Sequence, residues 1–103
     1  MPWYFYLMNF VAGALLANGV PHFVQGISGS PFPTPFAKPP GQGDSSPAVN
    51  VVWGFGNFVA GLLLVDFFPP ANWGGLSSLG AGALLLGVLM AGHFGKVRAG
   101  KQS

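Results

Sequence analysis

Cysteine is absent from this chain of 103 residues, and charged residues are scarce. Without cysteine there are no disulfide bonds, thiolate metal ligands or thiol nucleophiles. Two acidic and four basic residues make up 6% of the chain, whereas soluble domains carry about 25%. The net charge of +2 is too small to indicate a nucleic-acid partner. Since half of the residues are hydrophobic, we expect lipid rather than water around most of the chain.

Three long apolar runs cover residues 4–24, 48–68 and 76–94. At a rise of about 1.5 Å per residue, about 20 helical residues cross a hydrocarbon core of about 30 Å. We therefore predict an all-α membrane protein, one domain over residues 1–103 with three transmembrane helices. The middle run carries a polar stripe and is expected to be the helix on which the other two pack. The start has no basic segment before its apolar run, so a cleavable signal peptide is not expected.

Individual residues predict where these helices begin and end. Pro21 removes a backbone donor and is expected to kink the first span or to end it early. Ser46 and Pro47 are typical of the N-cap and the first position of a helix. Asp66, at the end of the second span, is expected to reach the lipid headgroups as an anchor.

Glycine, proline and serine dominate residues 25–47, which are predicted to form a loop between the first two spans. Within this loop, residues 31–36 alternate proline with other residues, a pattern that favours polyproline II over helix or sheet. Two interpretations stay open. The loop is either a stiff linker whose Phe32 and Phe36 dip into the membrane interface, or an ordered segment that covers a site.

The basic residues predict the orientation in the membrane. Three spans place the 25–47 loop and the basic tail 95–103 on one side, so all four basic residues share that side. By the positive-inside rule this side is cytoplasmic and the N-terminus lies outside. The aromatic cluster at residues 3–6 is typical of a membrane surface and marks the outer one.

Small residues recur at helical spacing in each span and predict helix-packing stripes. Glycine and alanine allow two backbones to approach closely, and an asparagine among them can form a hydrogen bond across the contact. Three helices cannot use all of these stripes, so we expect association with further copies or with other proteins. The predicted helix-packing residues are Gly13, Ala17, Gly54, Asn57, Gly61, Ala83, Gly87 and Ala91.

Several polar or aromatic side chains fall near the cytoplasmic ends of the spans and form a candidate polar or ligand site. Two histidines on different helices suit metal binding or proton handling, but with no cysteine they fall short of the usual four metal ligands. Alternatively, both histidines cap helix C-termini. We predict neither a metal site nor a cofactor. The candidate residues are Asn18, His22, Gln25, Asn50, Trp53 and His93.

The segment 18–57 contains the blocks PHF, FPTPF, PPG, SSP and NVVWG. In these blocks the chain resembles small bacterial integral membrane proteins of uncharacterised function. The resemblance covers about two fifths of the chain. It implies a bacterial inner membrane and no particular chemistry.

No spacing matches a catalytic triad, a phosphate-binding glycine loop or a pair of carboxylates, so no catalytic residues and no enzyme are predicted. We expect a structural or accessory protein whose partners are the lipid bilayer and either copies of itself or a larger membrane complex. The alternative is a homo-oligomeric channel or small transporter. Its pathway would be lined by the two histidines and by Asn9, Asn18, Asn50 and Asn57.

Overall fold

The computed structural model describes residues 1–102 as three long helices and one very short antiparallel ladder. The helices are α1 Trp3–Ile27, α2 Pro47–Phe67 and α3 Trp73–Gln102, and the strands are β1 Phe32–Pro33 and β2 Asp44–Ser45. All three helices are long and apolar enough to cross a membrane. The chain is therefore built as an all-α, multi-pass membrane protein.

Helix α1 lies in the middle of the molecule. It packs against both α2 and α3, whereas α2 and α3 share few contacts with each other. The expectation that the 48–68 run is the helix on which the others pack is therefore wrong. The physical reason is that α1 has glycines on both sides: Gly13 faces α3, whereas Gly19 and Gly26 face α2.

The contact between α1 and α2 is close because glycines from both helices meet there. A Cβ atom added at Gly19 would lie 2.8 Å from the carbonyl oxygen of Gly54. The reverse is also true, since a Cβ at Gly54 would lie 2.8 Å from the carbonyl oxygen of Gly19. Further along, a Cβ at Gly61 would lie 2.8 Å from the side chain of Leu16. Small residues thus set the distance between these two helices.

Helices α1 and α3 run in the same direction and are closest near their N-terminal halves. A Cβ atom at Gly13 would overlap the carbonyl oxygen of Leu79, and one at Gly82 would overlap that of Phe10. The two helices move apart more than one turn of α3 after Gly82, since a Cβ at Gly87 would meet no atom within 4 Å. A groove therefore separates the C-terminal halves of α1 and α3.

The helix ends follow local chemistry at most positions. The N-cap prediction is confirmed, because the Ser46 hydroxyl accepts a hydrogen bond from the Val49 N–H at 3.2 Å with Pro47 at the first helical position. Asn72 begins α3 in the same way, accepting from the Gly75 N–H at 2.8 Å. The early stop expected at Pro21 does not occur, since α1 continues to Ile27.

Two physical effects explain how the helices extend further than expected. In a membrane helix, an internal proline is tolerated when side chains, local backbone adjustments or neighbouring helices compensate for the lost backbone hydrogen bond, so Pro21 does not have to end α1. The residues of the predicted tail 95–103 are helical as far as Gln102. Lysine, arginine, alanine and glutamine are all good helix formers, and no proline interrupts them.

The connection between α1 and α2 is pinned by the short ladder. Phe32 pairs with Ser45 and Pro33 pairs with Asp44, so the expected polyproline II segment is instead partly a strand. Phe32 is only 8% exposed, whereas Phe36 is 64% exposed. The two phenylalanines thus have different environments, one inside the protein and one at its surface.

Candidate functional site

A buried polar cluster lies at the loop end of the molecule, where α1 ends, α2 begins and α3 ends. Its centre is Asn50, whose side chain is fully buried. The Asn50 amide nitrogen Nδ2 donates to the carbonyl oxygens of Phe32 at 3.0 Å, Ser46 at 3.1 Å and Ser45 at 3.2 Å. One side chain on α2 thus binds both strands of the connection and its own N-cap.

The other half of the Asn50 amide binds His22 of α1. The His22 ring nitrogen Nδ1 lies 2.8 Å from Asn50 Oδ1. Because Nδ2 of Asn50 already faces three carbonyl oxygens, its Oδ1 is the acceptor in this pair, and His22 Nδ1 is the donor. The hydrogen-bond network therefore fixes which ring nitrogen of His22 carries a proton.

Aromatic rings from three different elements surround His22, which is 2% exposed. The centroid of its ring lies 5.3 Å from that of Phe32, 6.2 Å from Phe94 and 6.4 Å from Trp53, all in edge-to-face geometry. Phe32 and Phe94 also pack on each other at 4.7 Å. The histidine thus joins α1, α2, α3 and the connection at one point.

A second amide pair crosses from α1 to α2 deeper in the molecule. Asn18 Nδ2 donates to Asn57 Oδ1 at 3.0 Å, and Asn57 Nδ2 donates to the Trp53 carbonyl at 2.8 Å. The indole nitrogen Nε1 of Trp53 is buried without a hydrogen-bond partner. Trp53 also packs edge-to-face on Phe36 at 4.9 Å.

His93 does not pair with His22 but contacts the connection. Its Nε2 lies 2.7 Å from the carbonyl oxygen of Gly41, so Nε2 is the donor. Gly41 has a φ of +73°, a conformation that glycine adopts without strain. His93 therefore fastens the middle of the connection to α3, and the Lys101–Asp44 ion pair at 2.8 Å fastens its end.

The opposite end of the molecule has a separate polar contact. Asn9 is fully buried, and its Nδ2 donates to the carbonyl oxygen of Phe68 at 2.6 Å, while its Oδ1 has no partner. Nearby, Asn72 donates to the Tyr6 hydroxyl at 3.1 Å. Asn9 is thus far from Asn50 and holds the link between α2 and α3. Asp66, next to this link, is exposed.

The structure distributes the remaining sequence-predicted residues over two contacts and a groove. Gly54, Asn57 and Gly61 face α1, and Gly13 faces α3. A Cβ on Gly13 would also lie 3.0 Å from the backbone nitrogen of Ala83. The groove between α1 and α3 is lined in part by Ala17, Gln25, Gly87 and Ala91.

Four residues in this cluster did not stand out in the sequence: Phe32 as a buried ring, Thr34, Ser45 and Phe94. Thr34 is buried, its hydroxyl bonds to that of Ser45, and its carbonyl accepts from the N–H of Gly41 at 2.9 Å. This role was not predicted, because the prolines around Thr34 indicate an extended segment and give no sign of a buried side chain. Phe94 is one of many apolar residues in the third span, so nothing in the neighbouring sequence marks it as part of the cluster.

The cluster can hold the connection in place. Over residues 1–102 no group of three or more histidine, aspartate or glutamate side chains could hold a metal ion. Most of its polar atoms are bound to one another. No family model, no curated protein and no solved structure matches the chain.

Proposed function

We propose that the chain is a structural or accessory protein of a bacterial inner membrane, which self-associates or packs against a larger membrane complex. The observation that carries this proposal is the surface of α3. Gly80 and Gly92 of this helix, which do not line the groove between α1 and α3, would each accept a Cβ atom without meeting any atom within 4 Å.

Unpacked glycines in a long helix need a reason. Glycine is about 1 kcal/mol less favourable than alanine in a helix interior. In membranes, glycines are favoured where another helix approaches closely. Since α3 contacts only α1 among the helices to any extent, its surface away from α1 and from the connection is free for such an approach. Association through α3 would give these glycines a role.

The arrangement of the asparagines favours association over a conduit. A water-filled path needs polar side chains that face it, whereas Asn18 is bound to Asn57 and Asn50 is bound to His22. These side chains satisfy each other across one helix contact. Asn9 lies at the other end and binds a backbone carbonyl.

The orientation belongs to the same proposal. Lys96, Arg98 and Lys101 lie at the end of α3, and Lys38 lies in the connection that packs there. With these four cations at one end, the positive-inside rule puts the loop end in the cytoplasm and the N-terminus outside.

Native mass spectrometry of protein extracted in mild detergent tests the association. We expect masses at multiples of one subunit, or a complex of fixed composition with larger chains. Gly80→Leu fills the α3 surface and should reduce the assembled fraction. Gly56→Leu, the same change at an equally open position on α2, is the matched control.

Two results would contradict the proposal. The first is a single subunit mass both after extraction and after cross-linking in intact membranes. The second is ion or solute flux through reconstituted protein that Asn57→Leu blocks without changing assembly, which would support the channel alternative.

A further inference from the structure

Two cavities meet at the loop end of α3. The larger is the groove between α1 and α3, with a volume of about 600 Å³ and walls that are mostly apolar, among them Val20, Pro21, Met90 and Ala91. The smaller, of about 180 Å³, reaches from Pro31 to the polar residues Asp44, Lys101 and Gln102. Both cavities are lined by Phe32, Phe94 and Arg98.

Arg98 is the charged group at the point where the cavities join. The acid in the smaller cavity, Asp44, is already paired with Lys101 at 2.8 Å. Within the part of the chain that the structure describes, no carboxylate lies within ion-pairing distance of Arg98. A guanidinium group between an apolar groove and a small polar pocket is therefore left for a ligand.

We infer that this composite cavity binds one anionic phospholipid. An acyl chain lies in the apolar groove, and the phosphate lies at Arg98, whose planar guanidinium binds phosphate oxygens through two parallel hydrogen bonds. The rest of the headgroup occupies the smaller cavity. The order of apolar groove, cation and polar pocket along α3 matches the order of chain, phosphate and headgroup in a lipid.

A second copy of the chain fits this site less well. The sequence has two acidic residues, and in each copy Asp44 is bound to Lys101. The other acid, Asp66, lies near the end of α2, at the opposite end of the molecule. A parallel neighbour therefore brings no free acidic side chain to Arg98, whereas an anionic lipid brings a phosphate at the same depth.

The molecule contains a natural comparison for this site. Another groove of about 520 Å³ lies beside α2, lined by residues such as Val49, Val52 and Trp53 and by no charged residue. This groove can take an acyl chain but has no means of choosing a headgroup. Headgroup selectivity should therefore belong to the cavity at Arg98 and not to the groove beside α2.

The test measures lipid bound per subunit by native mass spectrometry, after delipidation and addition of phosphatidylglycerol or phosphatidylcholine with identical chains. We expect the wild type to retain one phosphatidylglycerol in preference to phosphatidylcholine. Arg98→Gln should weaken phosphatidylglycerol binding about tenfold, the effect of losing one charge-assisted contact. Lys96→Gln is the matched control, because it removes the same charge from the same helix but lines a different cavity.

A second variant separates the site from general charge effects. Gly87→Leu places a side chain into the open groove and should reduce binding of both lipids. Equal loss in Arg98→Gln and Lys96→Gln would overturn the proposal in favour of unspecific surface attraction. Equal binding of the two lipids by the wild type would also overturn it. So would a cross-linker placed at position 91 in the groove, if it reacted with a second subunit instead of with lipid. Lipid stoichiometry is read separately from subunit stoichiometry, so this result does not depend on the proposed association.

Discussion

The two sides of α1 are held by different kinds of contact. On the α2 side, the side chains of Asn18 and His22 form hydrogen bonds with Asn57 and Asn50 across the contact. On the α3 side, Asn72, which precedes α3, donates to the Tyr6 hydroxyl of α1, but among residues 1–102 no side chain within Trp73–Gln102 forms a hydrogen bond with a side chain of α1. The two helices meet where Gly13 and Gly82 allow backbone contact.

This difference has a consequence for the shape of each contact. A hydrogen bond between amides requires both a distance and a direction, so it specifies the rotation of each helix and its position along the axis. A glycine contact specifies distance alone. The α2 side is therefore closed along its length, whereas the α3 side is closed only near Gly13 and Gly82 and open beyond them.

Replacing the central amide should have the largest effect on stability. Asn50→Leu leaves the His22 Nδ1 donor and the carbonyls of Phe32 and Ser45 without their partner. We expect a loss of about 4 kcal/mol in the free energy of unfolding, since each buried unpaired group costs about 1 to 3 kcal/mol. Reversible unfolding in mixed micelles measures the loss, and limited proteolysis between residues 28 and 46 measures release of the connection.

The control for this variant is Val52→Ala, two residues away on the same helix. Val52 is 70% exposed, so its truncation should leave both the unfolding free energy and the proteolysis pattern nearly unchanged. If Asn50→Leu behaved like this control, the polar cluster would not be what holds the connection.

A side chain at Gly13 should break the α3 side selectively. Gly13→Val brings its Cβ into the carbonyl of Leu79, so α3 must move away. Overpacking of this kind costs about 1 to 3 kcal/mol, and we expect the upper end because the obstructing atoms are backbone. A distance measured by spin labels between α1 and α3 should increase, while one between α1 and α2 should not.

Gly87→Ala is the matched variant on the open part of the same side. Since nothing lies within 4 Å of the added Cβ, the change should raise stability by up to about 1 kcal/mol through helix propensity. A destabilisation as large as that of Gly13→Val would contradict the view that the α3 side is open beyond Gly82.

The extent of α2 could be predicted because hydropathy changes sharply at its ends, whereas α1 and α3 continue past the predicted ends at residues 24 and 94. The run 48–68 became α2 at Pro47–Phe67, with the expected N-cap. Which helix lies in the middle could not be predicted, since the position of α1 between α2 and α3 depends on glycines that lie on two faces of α1. The prediction assumed one small-residue stripe on each helix. It therefore included Gly13 but not Gly19 and Gly26, which lie on the other face of α1.

The polar site, too, could be predicted only in part. Amides and histidines near helix ends are visible in the sequence, and His22 and Asn50 do lie together. Whether His93 joins them depends on the path of residues 28–46. That path is held by a two-residue ladder and by Thr34, for which no periodic pattern exists. His93 accordingly binds Gly41 rather than the other histidine.

Removing the second amide pair should have a smaller effect than removing Asn50. Asn57→Leu and Asn18→Leu each lose one interhelical hydrogen bond, which contributes about 0.6 to 2 kcal/mol in membrane proteins. A double-mutant cycle on the two residues should give a coupling energy in that range. A coupling near zero would mean that glycine contacts, and not amides, hold the α2 side as well.

Trp53→Phe should have the smallest effect, and its sign is informative. The indole N–H is buried without a partner, and such a group costs about 1 to 3 kcal/mol. Removing it offsets the loss of ring area next to Phe36 and His22, so we expect the free energy of unfolding to stay within about 1 kcal/mol of the wild type. A loss well above this, measured in lipid but not in detergent, would show that the N–H donates to a bound molecule in the membrane. The α2 side would then bind a ligand, as we infer for the groove on the α3 side.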